Sequence, residues 1–129
     1  VGVKTRDEKV ALGEAALKVD SAASAMRVVN DYHGLSITNL DDAVSPAALF
    51  RATTEHLTQD SSEMVALIEK FTGKANEVVI AGGWIKNPMI ASAKNKQFGS
   101  YKVSDATEAC ATGAAQFAGI AAGIFKLKI

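Results

Sequence analysis

The sequence predicts a helix-rich α/β protein in which a few short strands are combined with longer helices. Three observations carry this prediction. Apolar residues recur at steps of three and four along much of the first 70 residues, as on one face of a helix. The run VVIA at residues 78–81 is aliphatic and mostly β-branched, which is typical of a short buried strand. Beyond it, strand-like and helix-like segments alternate, as they do in layered α/β folds.

Composition excludes several classes of protein. The chain has 129 residues, of which 48% are hydrophobic and 22% charged, the balance of a globular protein. Lys plus Arg and Asp plus Glu both number 14, and no charged block indicates a nucleic-acid or membrane-surface partner. Because Cys110 is the only cysteine, no disulfide framework is predicted. Its thiol is expected to be buried and inert. Because no secretion signal opens the chain, a cytoplasmic location is expected.

The first 45 residues are expected to form a helical stretch followed by a loop, and whether they pack as one long helix or as two is left open. Residues 6–30 have the helical spacing, and His33-Gly34 is the predicted exit, with glycine at the C-terminal cap. Residues 35–45, rich in Ser, Thr, Asn and Asp, predict a loop. The apolar positions of the predicted helical face are Leu12, Ala15, Ala16, Val19, Ala22, Ala23, Met26 and Val29.

Two further helices flank the centre of the sequence. One is predicted over residues 46–71, ending at a glycine exit at Gly73. The last is predicted over residues 105–125, where Asp105 and Glu108 have the spacing of a capping box. Its small residues, which permit close packing, are Ala111, Ala115, Ala118 and Ala122. The run is rich in Ala, is shorter than about 20 residues and is broken by Gln116, so it does not predict a membrane helix.

At the centre, a strand over residues 77–81 is followed by the glycine pair Gly82-Gly83. Asn87 is a favoured N-cap and Pro88 a favoured first helical residue, so a helix is predicted from there to about residue 97. A short strand is predicted over residues 101–103. Strand, glycine turn and helix leave bare backbone at the carboxyl end of a strand, where open α/β sheets hold ligands.

These residues carry a resemblance to a known family. Residues 47–125 resemble the carboxyl-terminal part of the FGGY family of carbohydrate kinases, over roughly 80 of the 129 residues. The matching motifs are VVIAGG (78–83), KNP (86–88) and EACATGAA (108–115). Motifs that occur together in the right order are more specific than any one of them alone.

The resemblance implies an actin-like, ribonuclease-H-like lobe of which this chain is the last part. Residues 1–45 would be a helical segment or insertion without a clear match, and residues 46–129 the C-terminal portion of the kinase domain on its ATP-binding side. Gly82 and Gly83 would lie against the adenine and ribose, with Asn87 near the adenine edge. In the last helix, Gly113 and Ala114 would allow close packing behind the site.

The implied chemistry is transfer of the γ-phosphoryl group of ATP to a sugar hydroxyl. Mg²⁺ would be bound mainly by the rest of the enzyme. The family's catalytic aspartate lies outside the matched region, so no catalytic and no metal-binding residue is assigned in this chain, which alone is expected to be inactive. The implied partners are the remaining N-terminal part of the kinase and a sugar or polyol, and a homodimer is left open.

Several alternatives stay open at this point. Trp84 stands where the family has a third glycine or an alanine, and its indole either stacks on adenine or caps the turn. Asn87 either contacts adenine or only caps its helix, because the two uses compete for one side chain. Lys86 is expected to be solvated. The alternative function is a non-catalytic actin-like protein or a helical interaction module whose Gly-Gly turn is purely structural.

Overall fold

The fold is built on three helices that pack against one another. The computed structural model describes residues 2–20, 26–40, 44–106 and 108–126. Within these ranges the chain is helix-rich with a few short strands, which confirms the predicted α/β composition. The helices are α1 (Arg6–Lys18), α2 (Pro46–Thr72), α3 (Pro88–Phe98) and α4 (Ala109–Ala121); the strands are β1 (Arg27–Asp31), β2 (Gly34–Thr38), β3 (Val79–Ile80) and β4 (Lys102–Val103).

The core lies where α1, α2 and α3 meet. Ala16 of α1 packs with Met89 and Ala93 of α3, and Ala47 and Phe50 of α2 cover this cluster. Met89 is 1% exposed and fills the centre. The alanines let the helix backbones approach closely, so a single methionine fills the space between them.

A β-hairpin takes the place of the end of the predicted first helix. α1 ends at Lys18, and β1 pairs antiparallel with β2, with Asp31 opposite Gly34. His33 N–H donates to Asp31 Oδ1 at 2.8 Å, and Gly34 has a φ of +116°. The predicted first helix is therefore confirmed over Arg6–Lys18 but wrong over residues 27–30, and its predicted exit at His33-Gly34 is wrong. The predicted loop over residues 35–45 is wrong over 35–38, which belong to β2, and confirmed over 39–40 and 44–45, while residues 41–43 lie outside the described ranges. Ala22 and Ala23 lie outside the described residues.

The hairpin had a local signal that the helical spacing obscured. β-Branched residues on both sides of a short polar turn are typical of a hairpin, and an aspartate that caps its own turn favours one. Val28 is buried in β1, while Ile37 lies opposite it in β2. After Lys18 the apolar residues still recur at steps of three and four, which is also the spacing of a helix. This spacing alone therefore predicted a helix where the chain forms a hairpin.

The first turn of α1 is fixed by a capping box that the sequence reading missed. Thr5 Oγ1 accepts the Glu8 N–H at 3.2 Å, and Glu8 Oε2 accepts the N–H groups of Thr5 and Lys4, each at 2.8 Å. The bonds from the Thr5 and Lys4 backbone hold the pKa of Glu8 below its usual value. The turn that carries Arg6 and Lys9 is therefore well anchored.

Arg51 of α2 holds the other end of α1. Its Nη1 donates to the carbonyl of Val19, and more weakly to those of Ala16 and Leu17 at 3.4 Å. A guanidinium at a helix C-terminus donates hydrogen bonds to carbonyls of the last turn, and its positive charge interacts favourably with the helix dipole. The contact therefore fixes α1 against α2 at the end opposite the candidate site.

The predictions for the centre of the chain are largely confirmed. α2 runs from Pro46 to Thr72 and exits at Gly73, whose φ is +82°. α3 begins at Pro88 and is closed by Gly99. The two predicted short strands form as β3 and β4 and pair in parallel, with the bond from Ser104 N–H to the Ile80 carbonyl at 2.9 Å. The prediction that the first of them is buried is wrong, since Val79 is 56% exposed. Parallel pairing brings the carboxyl ends of both strands to one edge.

The last helix is shorter than predicted. Glu108 is its N-cap but makes no side-chain capping bond, so the capping box from Asp105 is wrong; Ser104 Oγ instead accepts the Ala106 N–H at 3.2 Å. α4 ends at Ala121 rather than near residue 125, because Gly123 adopts a φ of +72° and the chain turns back. Among the described residues, no helix has the length and apolarity needed to cross a membrane.

Candidate nucleotide site

The glycine pair forms an exposed backbone corner at the carboxyl end of β3. Gly82 has a φ of +112°, which side-chain-bearing residues rarely adopt, and Gly83 begins a short 3₁₀ helix, Gly83–Lys86. A Cβ added at either glycine would meet no atom within 4 Å. The corner is therefore bare and accessible, as contact with a flat ring requires.

Asn87 is built into the fold immediately after this corner. Its side chain is buried, and Oδ1 accepts the N–H groups of Met89 at 3.0 Å and Ile90 at 3.4 Å, which confirms the predicted N-cap. Its Nδ2 donates to the Lys9 carbonyl at 2.7 Å, which ties α3 to α1. The amide is thus occupied at both ends within this chain. Contact between Asn87 and adenine stays a prediction, and the observed bonds favour the capping role.

Gly13 of α1 is shaped to the Asn87 side chain. A Cβ at Gly13 would lie 2.8 Å from Asn87 Cγ, closer than packed atoms come. A glycine inside a helix costs about 1 kcal/mol relative to alanine. The close approach of α1 to Asn87 explains why this position carries glycine, and nothing in the local sequence indicates it.

Trp84 lies on the surface of the 3₁₀ helix beside α1. The residue is 56% exposed, and Lys9 Nζ lies 5.1 Å from the centroid of its ring. An ammonium at this distance is attracted by the negative face of an indole. Trp84 thus has a defined neighbour and a large accessible surface, and stacking on adenine stays a prediction.

An open groove of about 470 Å³ lies between the first turns of α1 and the 3₁₀ helix. Three basic side chains and an indole line it, and among the described residues no acidic side chain does. The lining residues are Arg6, Lys9, Val10, Gly83, Trp84, Lys86 and Asn87. Lys86 therefore belongs to a basic cluster rather than standing alone. Arg6 and Lys9 were missed by the sequence analysis, because they meet the glycine corner only through tertiary packing.

The other residues assigned to the site stand apart from the groove. A Cβ at Gly113 would meet no atom within 4 Å, and Ala114 is exposed. Within the described residues, neither Gly113 nor Ala114 makes a close packing contact, and their packing behind a nucleotide site stays a prediction. Cys110, expected to be buried, is also exposed. In the described part of the chain, no three His, Cys, Asp or Glu side chains are grouped so that they could hold a metal ion.

Comparison with known proteins adds no family assignment: no family model and no curated protein matches this chain. The kinase interpretation consequently depends on the motifs around Gly82-Gly83 and Gly113, and on the geometry of the groove.

Proposed function

We propose that this chain is the C-terminal portion of an ATP-dependent carbohydrate kinase of the FGGY type. It would form the nucleotide side of the cleft in a ribonuclease-H-like lobe, with Gly82 and Gly83 against the adenosine. The sugar or polyol, the catalytic base and most of the Mg²⁺ ligands would belong to the remaining N-terminal part. The observation that carries the proposal is the bare glycine corner at the carboxyl end of a parallel strand pair, with an accessible indole beside it.

The placement of the two sequence motifs supports this proposal. β3 leads directly into Gly82, and the bond from Ser104 N–H to Ile80 sets the end of β4 beside it. The chain leaving β4 leads to the second motif at residues 108–115. In open α/β sheets, ligands bind at the carboxyl ends of the strands. The glycine pair of the first motif and the whole of the second motif thus follow strands that end at the same edge.

Uncovered apolar surface supports the proposal of a larger polypeptide. Large hydrophobic side chains are exposed on the second half of α2 and along α4 and its exit, namely Met64, Leu67, Ile68, Phe71, Phe117, Ile124 and Phe125. Met64, Leu67, Ile68 and Phe71 are spaced three or four residues apart and so share one face of α2, and an exposed apolar face of this kind marks an interface. The N-terminal part of the kinase would cover it.

The exposed apolar residues of α2 and α4 are also compatible with the alternative function, a helical interaction module. In an interaction module, α2 and α4 would bind a separate protein, and the Gly-Gly turn would only connect β3 to the 3₁₀ helix. The occupied amide of Asn87 is the observation that favours this alternative, because the side chain has a full structural role without a nucleotide.

A steady-state kinetic experiment on the full-length polypeptide from the same gene tests the proposal. We expect ATP-dependent phosphorylation of at least one compound in a panel of pentuloses, hexuloses and polyols, and no such activity from the 129-residue chain alone. Gly83→Val should raise the KM for ATP at least about tenfold and leave the KM for the sugar unchanged. Gly83 has open space for a larger side chain, so the fold should tolerate it.

Ser92→Val serves as the control, since Ser92 is exposed on α3 and lies outside the groove. Its KM for ATP should equal that of the wild type. An unchanged KM for ATP in Gly83→Val would show that the turn is structural. Failure of the full-length protein to phosphorylate any of these compounds would favour the interaction module.

A further inference from the structure

The charge of the groove beside Trp84 differs from that of the chain as a whole. The chain has a formal net charge of zero, yet Arg6, Lys9 and Lys86 line this groove without an acidic neighbour in its described lining. Cations gathered in a concave site attract and hold an anion more strongly than isolated surface charges do. The groove therefore selects for a negatively charged ligand.

The position of Lys9 is set by the fold. The Asn87 amide holds the Lys9 carbonyl at 2.7 Å, and Lys9 Nζ lies 5.1 Å from the centroid of the Trp84 ring. The Thr5–Glu8 capping box anchors the turn that carries Arg6. Lys9 Nζ therefore lies over the face of an exposed indole, and Arg6 lines the same groove, so one ligand can contact the accessible part of the indole and a cation together.

We propose that this groove binds a nucleoside phosphate, with the base stacked on Trp84 and the phosphates contacting Lys9, Arg6 and Lys86. The proposal rests on the nucleotide-binding function given above and extends the site to α1, a segment that the kinase resemblance does not cover. The indole supplies the surface for the base, and Gly83 leaves space beside it. The charge-assisted bonds to phosphate make the groove prefer the phosphorylated ligand over the free nucleoside.

Fluorescence titration of the 129-residue chain tests this directly, because Trp84 is its only tryptophan. The probes are ADP, adenosine and inorganic tripolyphosphate. We expect ADP to quench Trp84 and to bind at least about tenfold more tightly than adenosine. Tripolyphosphate should bind more weakly than ADP, since it has no base. Lys9→Gln and Arg6→Gln should each remove most of the preference for ADP over adenosine.

Lys18→Gln is the matched control, because it removes the same charge from the last turn of the same helix. Lys18 lies nine residues from Lys9, about 13 Å along the helix axis and beyond the screening length of about 8 Å in physiological salt. It should leave the preference for ADP unchanged.

Each outcome decides between the two proposals. Equal affinity for adenosine and ADP that Lys9→Gln leaves unchanged would overturn the role of α1 and leave an adenosine site at the glycine corner. Tripolyphosphate binding as tightly as ADP would overturn base stacking. Absence of binding by ADP and adenosine would overturn the groove and count against nucleotide binding as a whole.

Discussion

Replacing Asn87 with alanine is expected to lower the free energy of unfolding by about 2–3 kcal/mol, because one side chain makes two structural contributions. Loss of the N-cap of α3 accounts for about 1 kcal/mol. Loss of the bond to the Lys9 carbonyl, which joins α1 to α3, accounts for about another 1 kcal/mol, and lost packing against Gly13 adds to it. Urea denaturation followed by circular dichroism measures the change.

Two companion variants separate these contributions. Asn87→Ser keeps a capping hydroxyl but is too short to reach Lys9, so its effect should be intermediate. Asn95→Ala removes an exposed asparagine from the last turn of the same helix and should change stability by less than about 0.5 kcal/mol. Equal stability of Asn87→Ala and the wild type would show that the buried amide does not hold α3 to α1.

The contact between Asn87 and Gly13 also predicts that the effect of Gly13→Ala on stability changes sign when Asn87 is replaced. In the wild type, Gly13→Ala should destabilise the protein, since its Cβ would collide with the Asn87 side chain. In the Asn87→Ala background the collision is absent, and Gly13→Ala should stabilise the protein by up to about 1 kcal/mol through helix propensity. A double-mutant cycle by urea denaturation measures this coupling, and additive effects would contradict it.

Met89→Ala is expected to cost about 2–5 kcal/mol of stability, the largest effect of any single truncation considered. Met89 is 1% exposed and fills the space where α1, α2 and α3 meet, so its removal leaves a cavity between the three helices, lined by three alanines and Phe50. Thermal or urea unfolding measures the loss.

Met64→Ala is the matched control. Met64 is 65% exposed on α2, and the same substitution there should change stability by less than about 0.5 kcal/mol. Similar losses from the two variants would mean that the three-helix core is not where the stability resides.

The sequence predicted best those elements whose ends are marked locally. Asn87 and Pro88 fixed the start of α3, and Gly73 and Gly99 fixed the ends of α2 and α3, because caps and glycine exits depend only on nearby backbone. Asp105 and Glu108 have the spacing of a capping box, but the box does not form, and Ser104 Oγ accepts a backbone N–H there instead. Local spacing indicates where a cap is allowed rather than that it forms.

What the sequence could not predict depends on contacts between distant residues. Lys9 and Trp84 meet because the Asn87 amide joins α1 to α3, and no spacing in the sequence indicates that approach. The glycine corner could be predicted because two adjacent glycines after a strand are a local signal. The cations beside it could not be predicted, because they reach the corner from a distant part of the sequence. For the same reason, the need for glycine at position 13 became clear only from the packed structure.

The most direct test of nucleotide binding at the glycine corner is a titration of the ¹⁵N-labelled chain with ADP, followed by two-dimensional NMR. We predict that the largest shift changes fall on the amides of Gly82, Gly83 and Trp84 and on the Trp84 indole N–H. If ADP does not shift these signals, or if the largest shift changes fall elsewhere in the chain, the claim that this corner binds a nucleotide is contradicted.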